Sequence, residues 1–445
     1  MAFALSVLRR ASRWPVLPGA VRTGPAKPNP VFNPMGGQQL HTAPLLQYPP
    51  KEHTQTKSRA FRKVQQKKPT TLDFSGPSKE VEDENIHIKT EYHQDPVFAD
   101  IPELTTDNIT HDSLHTIYAL PRELIGKFTA QDFPDYLYRD FSTVHSDGLM
   151  VREPFCRLAS LMEARTTPQP LVLTGRTGVG KSATLLQAAS YAHLKQWLIL
   201  YVPNAIHWVD SSQPYRPSAD PSAYLQPEVA RRWLQFIRQI NASVLNSLVL
   251  PTTVTVGNQT LAKGSSVDAM LAAGIDQPAA AHDAVEALLQ FSHQGLGAPV
   301  LMAVDQLNAF YISTEYFTPE NERLLPANLR LVRAFLPFFD GQKSLKDGLV
   351  LGALSMANTQ FRVPGFGLEG RVTKGKEAMP MAAKPLEVPA FDKHETQALL
   401  EFYHQSGVVY HKLDDALVAK RWVLTNGNAA DLLAYALKNT NVNRV

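Results

Sequence analysis

The stretch Gly175-Arg-Thr-Gly-Val-Gly-Lys181-Ser182 constrains this chain more than any other. It follows a short run, Leu171 to Thr174, with the character of a buried strand, and it opens an apolar helical pattern, Ala183 to Leu194. Strand, glycine-rich turn and helix begin a βαβ unit, and such units build parallel sheets covered on both faces. The glycines let the backbone close around an anion with several N–H groups pointing inward, while the helix presents the positive end of its dipole. In that arrangement Gly175, Arg176, Thr177, Gly178, Val179 and Gly180 surround phosphates. Lys181 reaches the β- and γ-phosphates, and the Ser182 hydroxyl holds Mg2+. The competing reading is a degenerate loop that binds nothing.

The βαβ alternation continues downstream. Trp197 to Val202 is an apolar strand stopped by Pro203, and Trp233, Phe236, Ile237 and Ile240 recur at helical spacing. Pro299 to Val304 is another apolar strand, ending in Asp305. An acid at a strand's carboxyl end, downstream of a phosphate loop, orders the water shell of Mg2+. Asp305 is therefore the expected second metal residue, with a turn-capping Asp as the alternative. Gln306 stands where motor ATPases usually place Glu. A glutamine orients water but cannot take its proton, so hydrolysis is expected to be slow or absent, although a water-orienting Gln does serve some GTPases.

Leu349 to Asn358 forms a further strand, with Ser355 and Asn358 near its end. They are candidate γ-phosphate sensors, or plain strand-end caps. A glycine-rich loop beyond it brings Arg362 or Arg371 toward phosphate, if they are not simply surface arginines. Asp392 and Glu395 have the spacing of a capping box. Asn426-Gly-Asn428 turns into a last helix, so residues 386–445 read as a small helical lid. The expected fold is α/β, an AAA+-like phosphate-loop NTPase with a central, mostly parallel sheet flanked by helices.

Composition bounds the remainder. The chain has 445 residues and 44% hydrophobic content, enough for one large domain or two. Its single cysteine, Cys156, excludes an internal disulfide framework and any cysteine-rich zinc site. Residues 1–72 carry twelve of the 44 Lys and Arg but one of the 41 acids, leaving 32 basic against 40 acidic residues beyond. The basic character thus belongs to the amino-terminal arm. Residues 1–42 lack acids and begin with a short basic amphipathic pattern, which reads as a mitochondrial transit peptide. Residues 43–110 read as a disordered basic arm and linker, and Lys57 to Lys68 suit phosphate contacts on RNA; a solvated linker is the competing view. Residues 111–385 form the nucleotide-binding core, with an irregular segment between about 95 and 150 wrapped on it and an insertion at 250–274. No apolar run reaches the roughly 18 residues of a membrane span.

Several stretches together resemble one family. They are Gly175 to Ser182, Trp197 to Ala205 with Trp208, Tyr224 to Pro227 leading to Trp233 and Leu234, Val304 and Asp305 with Asn308 and Ala309, Val388 and Pro389, and Asn426 to Asn428. The chain resembles the death-associated protein family, whose members are also GTP-binding components of the mitochondrial ribosome's small subunit. The resemblance covers roughly residues 115–440. It implies a structural ribosomal protein in the mitochondrial matrix that binds small-subunit rRNA and neighbouring ribosomal proteins, and that carries GTP or GDP, with ATP as the other option, together with Mg2+. It gives no reason to expect a DNA-specific binder. The alternative function is a matrix AAA+-type ATPase that remodels a protein or RNA complex, and a third is a nucleotide-gated signalling switch with no ribosome attached.

Overall fold

The structure is a computed structural model, and it describes residues 101–128, 133–165, 169–361, 381–409 and 412–439. The expected transit peptide, the Lys57 to Lys68 segment, Arg362 and Arg371 lie outside those residues. Five strands form one parallel sheet: β1 (Leu171–Thr174), β2 (Leu198–Val202), β3 (Val300–Val304), β4 (Gly348–Ala353) and β5 (Lys384–Glu387). Their spatial order is β5-β1-β4-β3-β2, with every pairing parallel. All carboxyl ends therefore lie at one edge of the sheet, where ligands bind in open α/β folds.

Strands β1 to β4 are buried at every position, which is why they read as unbroken apolar runs rather than alternating ones. Strand β5 reads Lys-Pro-Leu-Glu and buries only Leu386. It lies at an edge of the sheet, where a proline is tolerated. The opposite edge, β2, is closed by side chains. Asn241 accepts from the Ile199 N–H at 2.7 Å and donates to the Ile199 carbonyl at 2.8 Å, while Trp233 Nε1 donates to the Tyr201 carbonyl at 2.9 Å. Backbone groups that an edge strand would leave open are thereby paired.

The longer helices are α1 (Asp135–Val144), α2 (Glu153–Ala164), α3 (Lys181–Leu194), α4 (Pro227–Ile240), α5 (Val267–Asp276), α6 (Ala281–Gln294), α7 (Arg330–Phe339), α8 (Lys393–Gln405), α9 (Asp415–Thr425) and α10 (Ala429–Asn439). Helix α3 lies against β2, β3 and β4 and packs against α2. It is buried almost all round, so its sequence shows little amphipathic contrast. Cys156 is buried within α2.

Two segments are more regular than their sequences suggest. The stretch expected to be irregular contains α1 and an antiparallel ladder of Ile117–Ala119 with Gly148–Met150. Prolines at 121 and 134 precede a single helical turn, Arg122–Ile125, and α1, and obscure the periodicity. The segment at 250–274 is a hairpin, Val254–Val256 with Gln259–Leu261, followed by α5. Helix α5 buries Val267, Met270 and Leu271 against α4 and α6, and its Ala and Gly content reflects a close crossing in which Gly274 faces Ala284. Leu104 is already buried, its N–H donating to the Ala119 carbonyl at 2.8 Å, so packing begins before residue 110.

Helices α8 to α10 have a core of their own, formed by Leu400, Phe402, Tyr403, Val418, Leu432 and Leu433. Val144 at the end of α1 is buried in it, and Ile101 and Ile117 pack against it. The amino-terminal wrap therefore ties the C-terminal helices to the sheet domain.

Candidate anion-binding site

Each carbonyl from Gly175 to Gly180 has a protein donor. Lys181 Nζ donates to Gly175 O at 2.9 Å and to Arg176 O at 2.7 Å. Asn428 Nδ2 donates to Thr177 O at 2.6 Å, and the Ala430 N–H to Gly178 O at 3.2 Å. Arg152 Nη1 donates to Val179 O at 3.0 Å, and the Thr184 N–H to Gly180 O at 2.9 Å. In a trans peptide the carbonyl of one residue and the N–H of the next point in opposite directions, and the chain has no described cis bond. Anchoring the carbonyls of Thr177, Gly178 and Val179 outward thus aims the N–H groups of Gly178, Val179 and Gly180 the other way. Among the described residues, none of the N–H groups of residues 176–180 has an acceptor. Such a run of convergent donors at a helix N-terminus is an anion nest.

Glycine is required at two of these positions by what lies outside the loop. Gly175 has φ of 137°, and a Cβ there would fall 2.4 Å from the Val388 carbonyl oxygen. Gly178 has φ of 84°, and a Cβ would fall 2.4 Å from Asn428 Oδ1. Both conformations disfavour side-chain-bearing residues as well.

Behind the nest sit two opposite charges. Lys181 is buried at the first position of α3, and burial pulls its ammonium down to about 8, with Asp305 pulling the other way. Asp305 is buried at the end of β3, and burial pushes its carboxyl up to about 6. The Ser182 hydroxyl, the Gln306 N–H and Lys181 each oppose that rise. Asp305 Oδ1 accepts the Gln306 N–H at 2.8 Å, while Oδ2 is buried with no hydrogen-bond donor among the described residues. A hydroxyl beside a carboxylate oxygen that still lacks a partner is the hard-oxygen donor set that Mg2+ takes. The residues present therefore fit a magnesium ion together with an anion in the nest.

Gln306 is buried and left-handed, with φ of 58°. Because β4 lies between β1 and β3, its end falls between the loop and Asp305. Asn308, which is fully buried, accepts the Ser355 N–H at 2.8 Å and donates to the Ser355 carbonyl at 3.0 Å, fixing that strand end. Ser355 is half-buried there. Asn358 is exposed, and its side chain accepts the Gln360 N–H at 3.0 Å, so it serves as a local cap. The structure thus brings Gly175 to Ser182, Asp305, Gln306 and Ser355 to one edge and leaves Asn358 at the periphery.

The sequence reading did not assign site roles to Arg152, Asn428 or Glu395. Asn428 precedes a helix, and its Oδ1 accepts the Asp431 N–H at 3.2 Å, which a turn-then-helix pattern does suggest. Its second bond, to the loop, has no local signal. Arg152 Nε and Nη2 pair with Glu395 Oε1 and Oε2 at 2.7 and 2.9 Å, and its guanidinium stacks on Phe391 with Cζ 4.1 Å from the ring centroid. The capping box of α8 is present: Glu395 N–H donates to Asp392 at 2.7 Å and Asp392 N–H to Glu395 at 3.0 Å.

These features define an α/β protein whose parallel sheet carries, at its carboxyl edge, a glycine-rich loop with N–H groups that have no acceptor among the described residues, beside a buried Lys and Asp. The model of the mitochondrial ribosomal death-associated protein 3 family matches residues 149–434, and the chain belongs to that family. Among curated proteins it is similar to the small ribosomal subunit protein mS29 of Neurospora crassa, 22% identical over 370 residues, which span 75% of this chain and 77% of that protein. The mouse protein of the same name is 24% identical over 316 residues, 68% of this chain and 78% of its own length. The Bos taurus protein is 24% identical over 319 residues, 68% and 76% respectively.

Proposed function

We infer that the chain is a structural component of the small subunit of the mitochondrial ribosome, and that it holds a guanine nucleotide with Mg2+ at Gly175 to Ser182. Membership of the family and relatives that are named small ribosomal subunit proteins support the first part, including its mitochondrial location. One observation carries the second: every carbonyl from Gly175 to Gly180 is bonded away by protein donors, which leaves convergent N–H groups beside the buried Lys181 and Asp305. The same arrangement supports an AAA+-like phosphate-loop NTPase as the finer description of the fold. Guanine over adenine rests on family resemblance alone.

In this reading the N–H groups of residues 178–180 bind phosphate oxygens and Lys181 adds a positive charge beside them. Ser182 and Asp305 hold Mg2+, and the ion, when bound, supplies charge neutralisation of the phosphates. Gln306 orients water without accepting its proton, so the nucleotide remains bound and intact or nearly so. A ligand at about a thousand times its dissociation constant adds roughly 4 kcal/mol to the folded state without any turnover. The nucleotide would then act as a joint between sheet and C-terminal helices. Partners are small-subunit rRNA and adjacent ribosomal proteins, with the basic arm contributing phosphate contacts. Among the described residues no helix is long and apolar enough to cross a membrane.

Thermal melting with and without excess GDP and Mg2+ tests the reading. The wild-type midpoint should rise and that of Lys181→Ala should not; a wild-type midpoint indifferent to every purine nucleotide would count against it. For the arm, removal of residues 51–68 should weaken small-subunit association in a salt-dependent way, most at low salt and least at high salt; equal association at all salt concentrations would reduce the arm to a linker.

A further inference from the structure

Arg152 belongs to neither the loop nor the C-terminal helices, yet it bonds to both. It stands at the start of α2, immediately after the ladder strand Gly148–Met150, and is almost fully buried. Its five donors are largely committed: Nη1 to Val179 O, Nε and Nη2 to the Glu395 carboxylate, and Nη2 also to Pro389 O at 3.0 Å. Phe391 covers one face of the guanidinium. Glu395 is equally buried and is itself fixed by the Asp392 capping box. A planar fork held at both ends in this way has one orientation available.

The Val179 carbonyl and the Gly180 N–H share one peptide unit, so the bond from Arg152 sets where that N–H points. We propose that Arg152 is a positioning residue for phosphate binding: it aims the Val179–Gly180 peptide into the nest, and through Glu395 it makes that aim depend on docking of α8. This deepens the nucleotide reading and rests on it. The loop is then complete only while α8 is seated on the sheet domain, and phosphate binding in turn favours the seated position by the same factor. The three outer anchors of the nest converge from separate parts of the chain: Arg152 from the amino-terminal side, Asn428 and the Ala430 N–H from the carboxyl-terminal side.

The test compares the full chain with its Arg152→Gln and Glu395→Gln variants. Dissociation constants are measured by calorimetry for Mg-GDP and for magnesium pyrophosphate, at a temperature where circular dichroism shows each variant folded. Pyrophosphate has no base or sugar, so it reports on the nest alone. Loss of a charge-assisted anchor should weaken pyrophosphate and GDP by the same factor, on the order of tenfold for Arg152→Gln. Glu395→Gln, which keeps the Val179 anchor but loosens its support, should weaken both by a smaller common factor. A residue that is only structural would lower the melting temperature and leave both constants unchanged in the folded variants, and that result overturns the proposal. Weakening of GDP without weakening of pyrophosphate overturns it too. A wild-type chain that binds neither compound would instead defeat the nucleotide reading itself, and the proposal with it.

Discussion

Asn428 and Thr177, 251 positions apart in sequence, are joined by a 2.6 Å bond from the asparagine side-chain amide to the threonine carbonyl. The contact places the amino end of the last described helix against the outside of the glycine-rich loop, where Ala430 adds a second bond. The loop is therefore shaped partly by the C-terminal helices and not by its glycines alone.

Asn428 performs two tasks that can be separated. Asn428→Asp keeps an acceptor for the Asp431 N–H but loses the donor to Thr177, whereas Asn428→Ala loses both. In urea unfolding of the ligand-free chain, Ala should cost about 1–2 kcal/mol, with Asp between it and wild type. Equal stability for wild type and Ala would mean that the loop contact contributes nothing.

Breaking the buried Arg152–Glu395 pair from one side strands a charge. Arg152→Gln should therefore destabilise the chain by about 3–5 kcal/mol, more than the double change Arg152→Gln with Glu395→Gln. Chemical denaturation of the two variants measures the difference, and a double variant less stable than the single one would contradict it.

The loop's buried ions give the ligand-free protein a defined pH dependence. Asp305 titrates at about 6 when folded, above its ordinary 3.8. Its favourable contribution is full below about pH 4 and lost as pH rises through 6. Lys181 titrates at about 8, below its ordinary 10.5, so its contribution is present above pH 10.5 and lost as pH falls through 8. Between pH 6 and 8 both groups are charged and both oppose folding. Asp305→Asn should then raise ligand-free stability at pH 7.5 by on the order of 3 kcal/mol, a net figure in which the attraction to Lys181 is already counted. Melting curves at pH 4 and 7.5 should show that gain shrinking at the lower pH. A gain that is larger at pH 4 reverses the assigned sign.

Gln306 predicts retention rather than turnover. Purified chain with Mg-GTP should release phosphate far more slowly than the ~1 s⁻¹ of a working enzyme, and Gln306→Ala should bind GDP within about twofold of wild type. Rapid, Gln306-dependent phosphate release would restore the ATPase or GTPase alternative.

Much of this architecture is legible in the sequence because its elements are locally determined. Leu171 to Thr174 reads as an unbroken run because β1 is buried at every position, and Asp392 and Glu395 announce the start of α8 through their three-residue spacing. The loop and Asp305 are legible for the same reason, since each is set by the strand that precedes it. Asn358 shows the limit of such reasoning: polarity near a strand end marks it equally as a sensor or a cap, and its Oδ1 accepts the Gln360 N–H. Arg152 and Asn428 were less visible still. Their partners lie 243 and 251 positions away, and no periodicity encodes a contact between a helix start and a loop carbonyl across the fold. Helix α5 was obscured by its own packing, since a helix that must pass close to α6 is built from small residues with little amphipathic signal.

Native mass spectrometry of the full chain in the presence of Mg2+ tests the central claim most directly. Wild type should carry the added mass of one guanine nucleotide, and Lys181→Ala should not. A wild-type mass that stays bare after incubation with GDP, GTP, ADP and ATP would contradict the assignment of Gly175 to Ser182 as a nucleotide-holding joint.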